Sequence, residues 1–166
     1  MKFQSAGFLD NSNVNGEGLR SVVFFSGCSH RCKGCHNKTM QDHFYGDKVE
    51  IDEVINRIKH NMPLIDGVTI SGGDPFFQAD ELYEMIKELK KLNINIWVYT
   101  GYEFELLKLR YPEIIREIDI LIDGRFDLKR HLKNPNILYR GSDNQRIILC
   151  KESLERNEVV LYESTK

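Results

Sequence analysis

The stretch LRSVVFFSGCSHRCKGC, residues 19–35, joins an apolar run directly to three cysteines. Leu19 to Ser26 is rich in Val and Phe and is bounded by Gly18 and Gly27, which predicts a strand. Cys28, Cys32 and Cys35 follow at once with C-x3-C-x2-C spacing. A loop leaving a strand can wrap its side chains round a soft metal centre with no regular element in between, and Gly27 and Gly34 let this one turn tightly. Three thiolates can hold three irons of a four-iron, four-sulfur cluster and leave the fourth iron open for a ligand. Zinc is an alternative, because His30 and His36 lie among the cysteines, and redox thiols are another; spacing alone does not choose among the three. The remaining cysteine, Cys150, lies far along the chain in the apolar stretch Arg146 to Cys150, where a buried thiol acting as a small hydrophobe is expected.

Outward from this stretch, apolar runs alternate with amphipathic segments. Ile51, Val54, Ile55 and Ile58 recur at helical spacing, GVTIS (67–71) reads as a strand ending in Gly72-Gly73, and a helix is predicted from Ala79 to Leu92 with Leu82, Met85, Ile86 and Leu89 inward. NIWVYT (95–100) and DILI (119–122) are further strands, separated by helical Glu103 to Arg110 and a turn opened by Pro112; Arg146 to Cys150 is a fifth. This alternation implies parallel strands joined by right-handed crossovers, with the glycine-containing loops gathered at their carboxyl ends, where ligands of such sheets bind. Five units cannot close an eight-stranded barrel. The expected fold is therefore α/β, an open partial (β/α) barrel of mainly parallel strands with helices outside. Lys129 to Gln145 and Ser153 to Lys166 are polar and read as irregular, the latter as a loose tail.

The 166 residues suit one domain, and 41% hydrophobic with 29% charged residues is ordinary for a globular protein. A formal net charge of −2 gives no reason to expect a nucleic-acid or anionic-membrane partner. No apolar stretch approaches spanning length and the N-terminus lacks a signal-peptide core, so a cytoplasmic location is expected.

Ser71-Gly72-Gly73-Asp74-Pro75 closes the second strand. Two glycines would bring main chain close to a ligand without a Cβ in the way, and Asp74 offers an anion to a ligand ammonium, although Gly-Gly-Asp-Pro is also an ordinary turn. Asp123-Gly124-Arg125 ends the fourth strand, either at a ligand or as a helix-capping Asp beside an exposed Arg. Thr100-Gly101-Tyr102 reads first as a strand-ending turn and second as a site wall. Ser29, His30 and Lys33 are read as solvated loop residues more than as neighbours of the sulfurs.

Taken together, these residues resemble the radical S-adenosylmethionine enzymes, whose C-x3-C-x2-C motif is matched by Cys28, Cys32 and Cys35 and whose Gly-Gly-Glu motif is matched by Gly72, Gly73 and Asp74. Asp for Glu keeps the charge and shortens the reach by one methylene. Asn15-Gly16-Glu17-Gly18-Leu19-Arg20 and Cys35-His36-Asn37 are similar to the corresponding stretches of the glycyl-radical-enzyme activases, and the short chain with Arg140-Gly141-Ser142-Asp143-Asn144-Gln145-Arg146 is most similar to those that serve anaerobic ribonucleoside-triphosphate reductase. The resemblance implies one 4Fe-4S cluster on Cys28, Cys32 and Cys35, and S-adenosylmethionine bound at its open iron. It places Gly34, Cys35 and His36 near the adenine, Ser71, Gly72, Gly73 and Asp74 at the methionine end, and Asp123, Gly124 and Arg125 near the ribose or carboxylate. It implies the reductase as protein substrate and an electron donor such as flavodoxin. An activase of another glycyl-radical enzyme such as pyruvate formate-lyase, or a zinc-stabilised or electron-transfer module, are the alternatives.

Overall fold

The computed structural model describes residues 1–35, 38–133 and 139–163. Its seven strands form one open sheet, with β1 (Lys2–Ser12), β2 (Arg20–Phe25), β3 (Asp47–Glu50), β4 (Gly67–Gly72), β5 (Asn95–Tyr99), β6 (Ile120–Asp123) and β7 (Arg146–Leu149) in the order β3-β1-β2-β4-β5-β6-β7. The β2-β4-β5-β6 centre is parallel, as the apolar runs predict, because VVFF, GVTISG and ILID are buried along almost their whole length. The flanks depart from that expectation: β1 pairs antiparallel with β2 and β3, and β7 antiparallel with β6. The sheet is thus mixed α/β, parallel only in its middle.

Helices α1 (Ile51–Asn61), α2 (Ala79–Lys91), α3 (Phe104–Arg110), α4 (Pro112–Ile115) and α5 (Cys150–Arg156) all pack on one face. Ile51, Val54, Ile55 and Ile58 of α1 and Leu82, Met85, Ile86 and Leu89 of α2 are buried there, as the periodicity predicts. The period-2 geometry of strands splits β5 between the faces: Ile96 and Val98 join the helices, whereas Trp97 and Tyr99 point the other way and meet Ile120, Ile122 and Tyr162. The loose tail expected from Ser153 onward is corrected over 153–163. Ser153 lies within α5, which ends at left-handed Asn157, and the following residues pair with β7 through Leu149 N–H to Val160 O (2.9 Å) and Tyr162 N–H to Ile147 O (2.8 Å). No helix among the described residues is long and apolar enough to cross a membrane.

Below the helix-free face, Arg20 is a buried cation held by neutral oxygens. It donates to Thr69 Oγ1, Glu17 O, Val68 O and the backbone and side-chain oxygens of Asn95, and its guanidinium lies 5.3 Å from the Trp97 ring centre. Burial pushes its pKa down to about 10. Gly16 has φ +130°, and a Cβ there would press on Arg20 and Trp97, which accounts for one glycine of the Asn15–Arg20 motif structurally. Arg20→Met leaves those oxygens without donors and is expected to lower unfolding free energy by about 3 kcal/mol, read from denaturant midpoints at unchanged slope.

Candidate active site at the carboxyl ends of the central strands

The loops after β2 and β4 are joined main chain to main chain. Gly73 N–H donates to Phe25 O (2.9 Å) and Asp74 N–H to Gly27 O (2.8 Å), while within the loop after β2 Gly27 N–H donates to Met40 O (2.8 Å) and Cys28 N–H to Gln41 O (3.1 Å). This closeness is what the Gly72-Gly73 pair permits. Gly72 has φ +122°, and a Cβ on Gly73 would meet the main-chain oxygens of Met40 and Gly27.

Cys28, Cys32 and Cys35 are partly exposed free thiols that line a cavity of about 340 Å³ at this edge. Burial pushes the Cys28 thiol up to about 11, opposed by hydrogen bonds from the backbone of His30 and Arg31; the latter takes a left-handed φ of 53°. Burial also raises Cys32, opposed by the Phe126 backbone. A thiol raised in this way is protonated near neutrality and a poor nucleophile, whereas a bound metal would displace its proton. Partly desolvated sulfurs with backbone N–H donors nearby are the surroundings an iron–sulfur cluster uses, so the donor set fits that group.

Ser71, Gly72 and Gly73 form part of the same cavity wall, with Thr100, Gly101, Gly124 and Arg125. Three predicted residues sit elsewhere. Gly34 is exposed, with room for no Cβ beside Leu128, Asp123 is buried and accepts from Phe104 N–H and Arg146, and Asp74 is buried behind the wall. His36 lies outside the described residues. His30, read from sequence as solvated, is instead enclosed: its side chain is 3% exposed and its Nε2 lies 2.6 Å from Asp74 Oδ2. The ligand atoms of Cys28, His30 and Asp74 lie within 4.8 Å of one another, as a zinc site would need, but the His–Asp hydrogen bond already uses two of them. Asn15, Tyr99 and Tyr139 also line the cavity; of these only Asn15 lay in a motif visible in the sequence.

Residues 14–148 match the 4Fe-4S single cluster domain family. Over 141 residues the chain is 36% identical to the anaerobic ribonucleoside-triphosphate reductase-activating protein of Haemophilus influenzae, an alignment covering 81% of this chain and 90% of that protein. The proteins of the same description from Escherichia coli K12 and Enterobacteria phage T4 are each 34% identical, over 80% and 81% of this chain and 89% and 86% of theirs. The chain belongs to the anaerobic ribonucleoside-triphosphate reductase-activating protein family.

For an activating protein of this family with a 4Fe-4S domain, the three thiols on the cavity take on a definite meaning: the chain is an iron–sulfur activase of the oxidoreductase type. Cys150, by contrast, is fully buried at the start of α5 among core residues on the helix-covered face, and burial drives its pKa far up. It is the packing residue that its apolar setting predicts.

Proposed function

We propose that this chain activates anaerobic ribonucleoside-triphosphate reductase by reductive cleavage of S-adenosylmethionine. Cys28, Cys32 and Cys35 would hold a 4Fe-4S cluster, whose chemistry would be to give one electron to the sulfonium so that its bond to the 5′-carbon breaks into methionine and a 5′-deoxyadenosyl radical. That radical takes a hydrogen atom from a glycine of the reductase, leaving 5′-deoxyadenosine and a glycyl radical. The observation that carries this reading is the placement of three thiols, and no fourth, on one cavity with the Gly72-Gly73 rim at the carboxyl ends of the parallel central strands.

Each wall then has its task. The cysteine loop would hold the cluster through its three thiolates, and the Ser71–Gly73 rim would hold the methionine moiety beside it. Gly34 and His36 flank the last ligand on the adenine side, and Gly124 and Arg125 stand where the ribose or carboxylate would lie. One domain over residues 1–166, curved as an open partial barrel of radical S-adenosylmethionine type, would leave the mouth wide enough for a polypeptide. An external donor such as reduced flavodoxin, in the cytoplasm, would provide the electron; no nucleic acid or membrane is involved.

The test is anaerobic. The protein is reconstituted with iron and sulfide, reduced, and mixed with S-adenosylmethionine and the reductase, and a glycyl-radical doublet is sought by electron paramagnetic resonance. The doublet is the expected result. Cleavage of S-adenosylmethionine without it would reject this partner and keep the chemistry, and a colourless zinc protein would reject both.

A further inference from the structure

The carboxylate that a Gly-Gly-acid motif would offer to an ammonium is already occupied. Asp74 is 1% exposed. Its Oδ1 accepts from Phe76 N–H and Thr100 Oγ1 (both 3.0 Å), and its Oδ2 from Gly101 N–H (2.9 Å) and from His30 at 2.6 Å, with Thr100 Oγ1 also 3.0 Å from Oδ2. These donors fill the roughly four lone-pair sites of a carboxylate. Ser71, Gly72 and Gly73 line the cavity; Asp74 does not.

His30 comes from the cysteine loop, two residues after Cys28 and two before Cys32. Arg125 Nε, which can only donate, lies 3.0 Å from His30 Nδ1, so Nδ1 accepts and Nε2 carries the proton given to Asp74. The ring is also gripped sideways: Tyr102 meets it edge-on at 4.4 Å between centroids, and a Cβ on Gly101 would come 2.6 Å from its Cδ2. One imidazole thereby ties the cysteine loop to the ends of β4, β5 and β6.

We infer that Asp74 and His30 are positioning residues, forming with Arg125 a clasp that holds the cysteine loop in ligand-ready shape. The shortening from Glu to Asp fits this role, since the shorter side chain reaches Thr100, Gly101 and His30 behind the wall and stops short of the cavity. The clasp stands apart from the reading that the cavity holds S-adenosylmethionine.

The clasp is tested first on the cluster-free chain by hydrogen exchange over residues 28–35. His30→Leu is expected to speed exchange there about tenfold, the scale of one lost charge-assisted hydrogen bond, with β4 and β5 unchanged. His30→Gln, whose amide can both donate to Asp74 and accept from Arg125, is expected to restore protection to within about threefold of the parent. After reconstitution, His30→Leu and Asp74→Asn should each release iron to a chelator about tenfold faster, the double variant little faster than either, while S-adenosylmethionine affinity of the loaded fraction stays within about threefold. Unchanged exchange in His30→Leu, or no recovery in His30→Gln, overturns the clasp. An Asp74→Asn protein that keeps its cluster but binds S-adenosylmethionine more than about tenfold more weakly overturns the assignment of Asp74 as a positioning residue. A parent protein that takes up no cluster would defeat the proposed function instead, and the exchange results would still decide the clasp.

Discussion

Cys32→Ala is expected to abolish both the cluster and the glycyl-radical signal. Three thiols on one cavity are the minimum that holds a four-iron cluster with a single open iron, and removing one opens a second iron to water and chelators. Cys32 is the middle cysteine of the loop, and the Phe126 backbone reaches its sulfur from beyond β6. Iron after anaerobic desalting should fall from about four per chain to under about one, and the doublet to less than about a hundredth of the parent's. Cys150→Ala is the contrast: it removes a buried sulfur on the other face of the sheet, should cost about 1 kcal/mol of stability, and should keep the full iron content. Full iron in Cys32→Ala, or loss of iron in Cys150→Ala, would place the cluster elsewhere.

Gly73→Ala should be nearly as damaging to activity while sparing the fold. The added methyl has no flexible side chain to displace, because it points at the main-chain oxygens of Gly27 and Met40, where the loops after β2 and β4 are already joined through Gly73 N–H and Asp74 N–H. Relief requires the cysteine loop to move off the end of β4, carrying Cys28 away from the rim that faces it. Loss of about two orders of magnitude in S-adenosylmethionine cleavage is expected, with far-ultraviolet circular dichroism unchanged, since misplacement by about 1 Å can cost a hundredfold. Parental cleavage rates in Gly73→Ala would show that the two loops need not meet this closely.

The sequence made some of this architecture readable and hid the rest for identifiable reasons. The central strands are buried on both sides, so their apolar runs announce them, and the helices carry their inward residues at helical spacing. β1 and β3 gave no such signal. β1 is rich in Gln, Ser, Asp and Asn, is broken by register shifts around Gly7 and before Ser12, and is held by backbone pairing, which leaves little trace in side-chain pattern. β3 is a short, mostly charged strand paired along one side. The antiparallel direction of β7 depends on the course of the long connection from β6, which composition does not specify.

In the site, the cysteine triplet and the glycine pair were legible because their chemistry lies in contiguous residues. His30 was not. Its partners stand 44 and 95 residues away, and enclosure of a loop histidine is a product of the loops that fold over it. For the same reason Asp74 reads as a ligand in isolation and as a buried acceptor once Thr100 and Gly101 arrive beside it.

The two rims of the sheet bear on how the molecule behaves in a crowded solution. An exposed strand edge invites a second chain to add itself, and a protein that must present an open mouth to a large partner risks stacking with its own copies instead. Here one rim is β3, four residues long and carrying Asp47, Lys48 and Glu50, followed by the part of β1 that β3 does not cover, which is interrupted at Gly7 and ends in the polar Asp10, Asn11 and Ser12; the other is β7, whose free edge is occupied by the chain's own residues 160–162. Neither side offers a long apolar ribbon to a stranger.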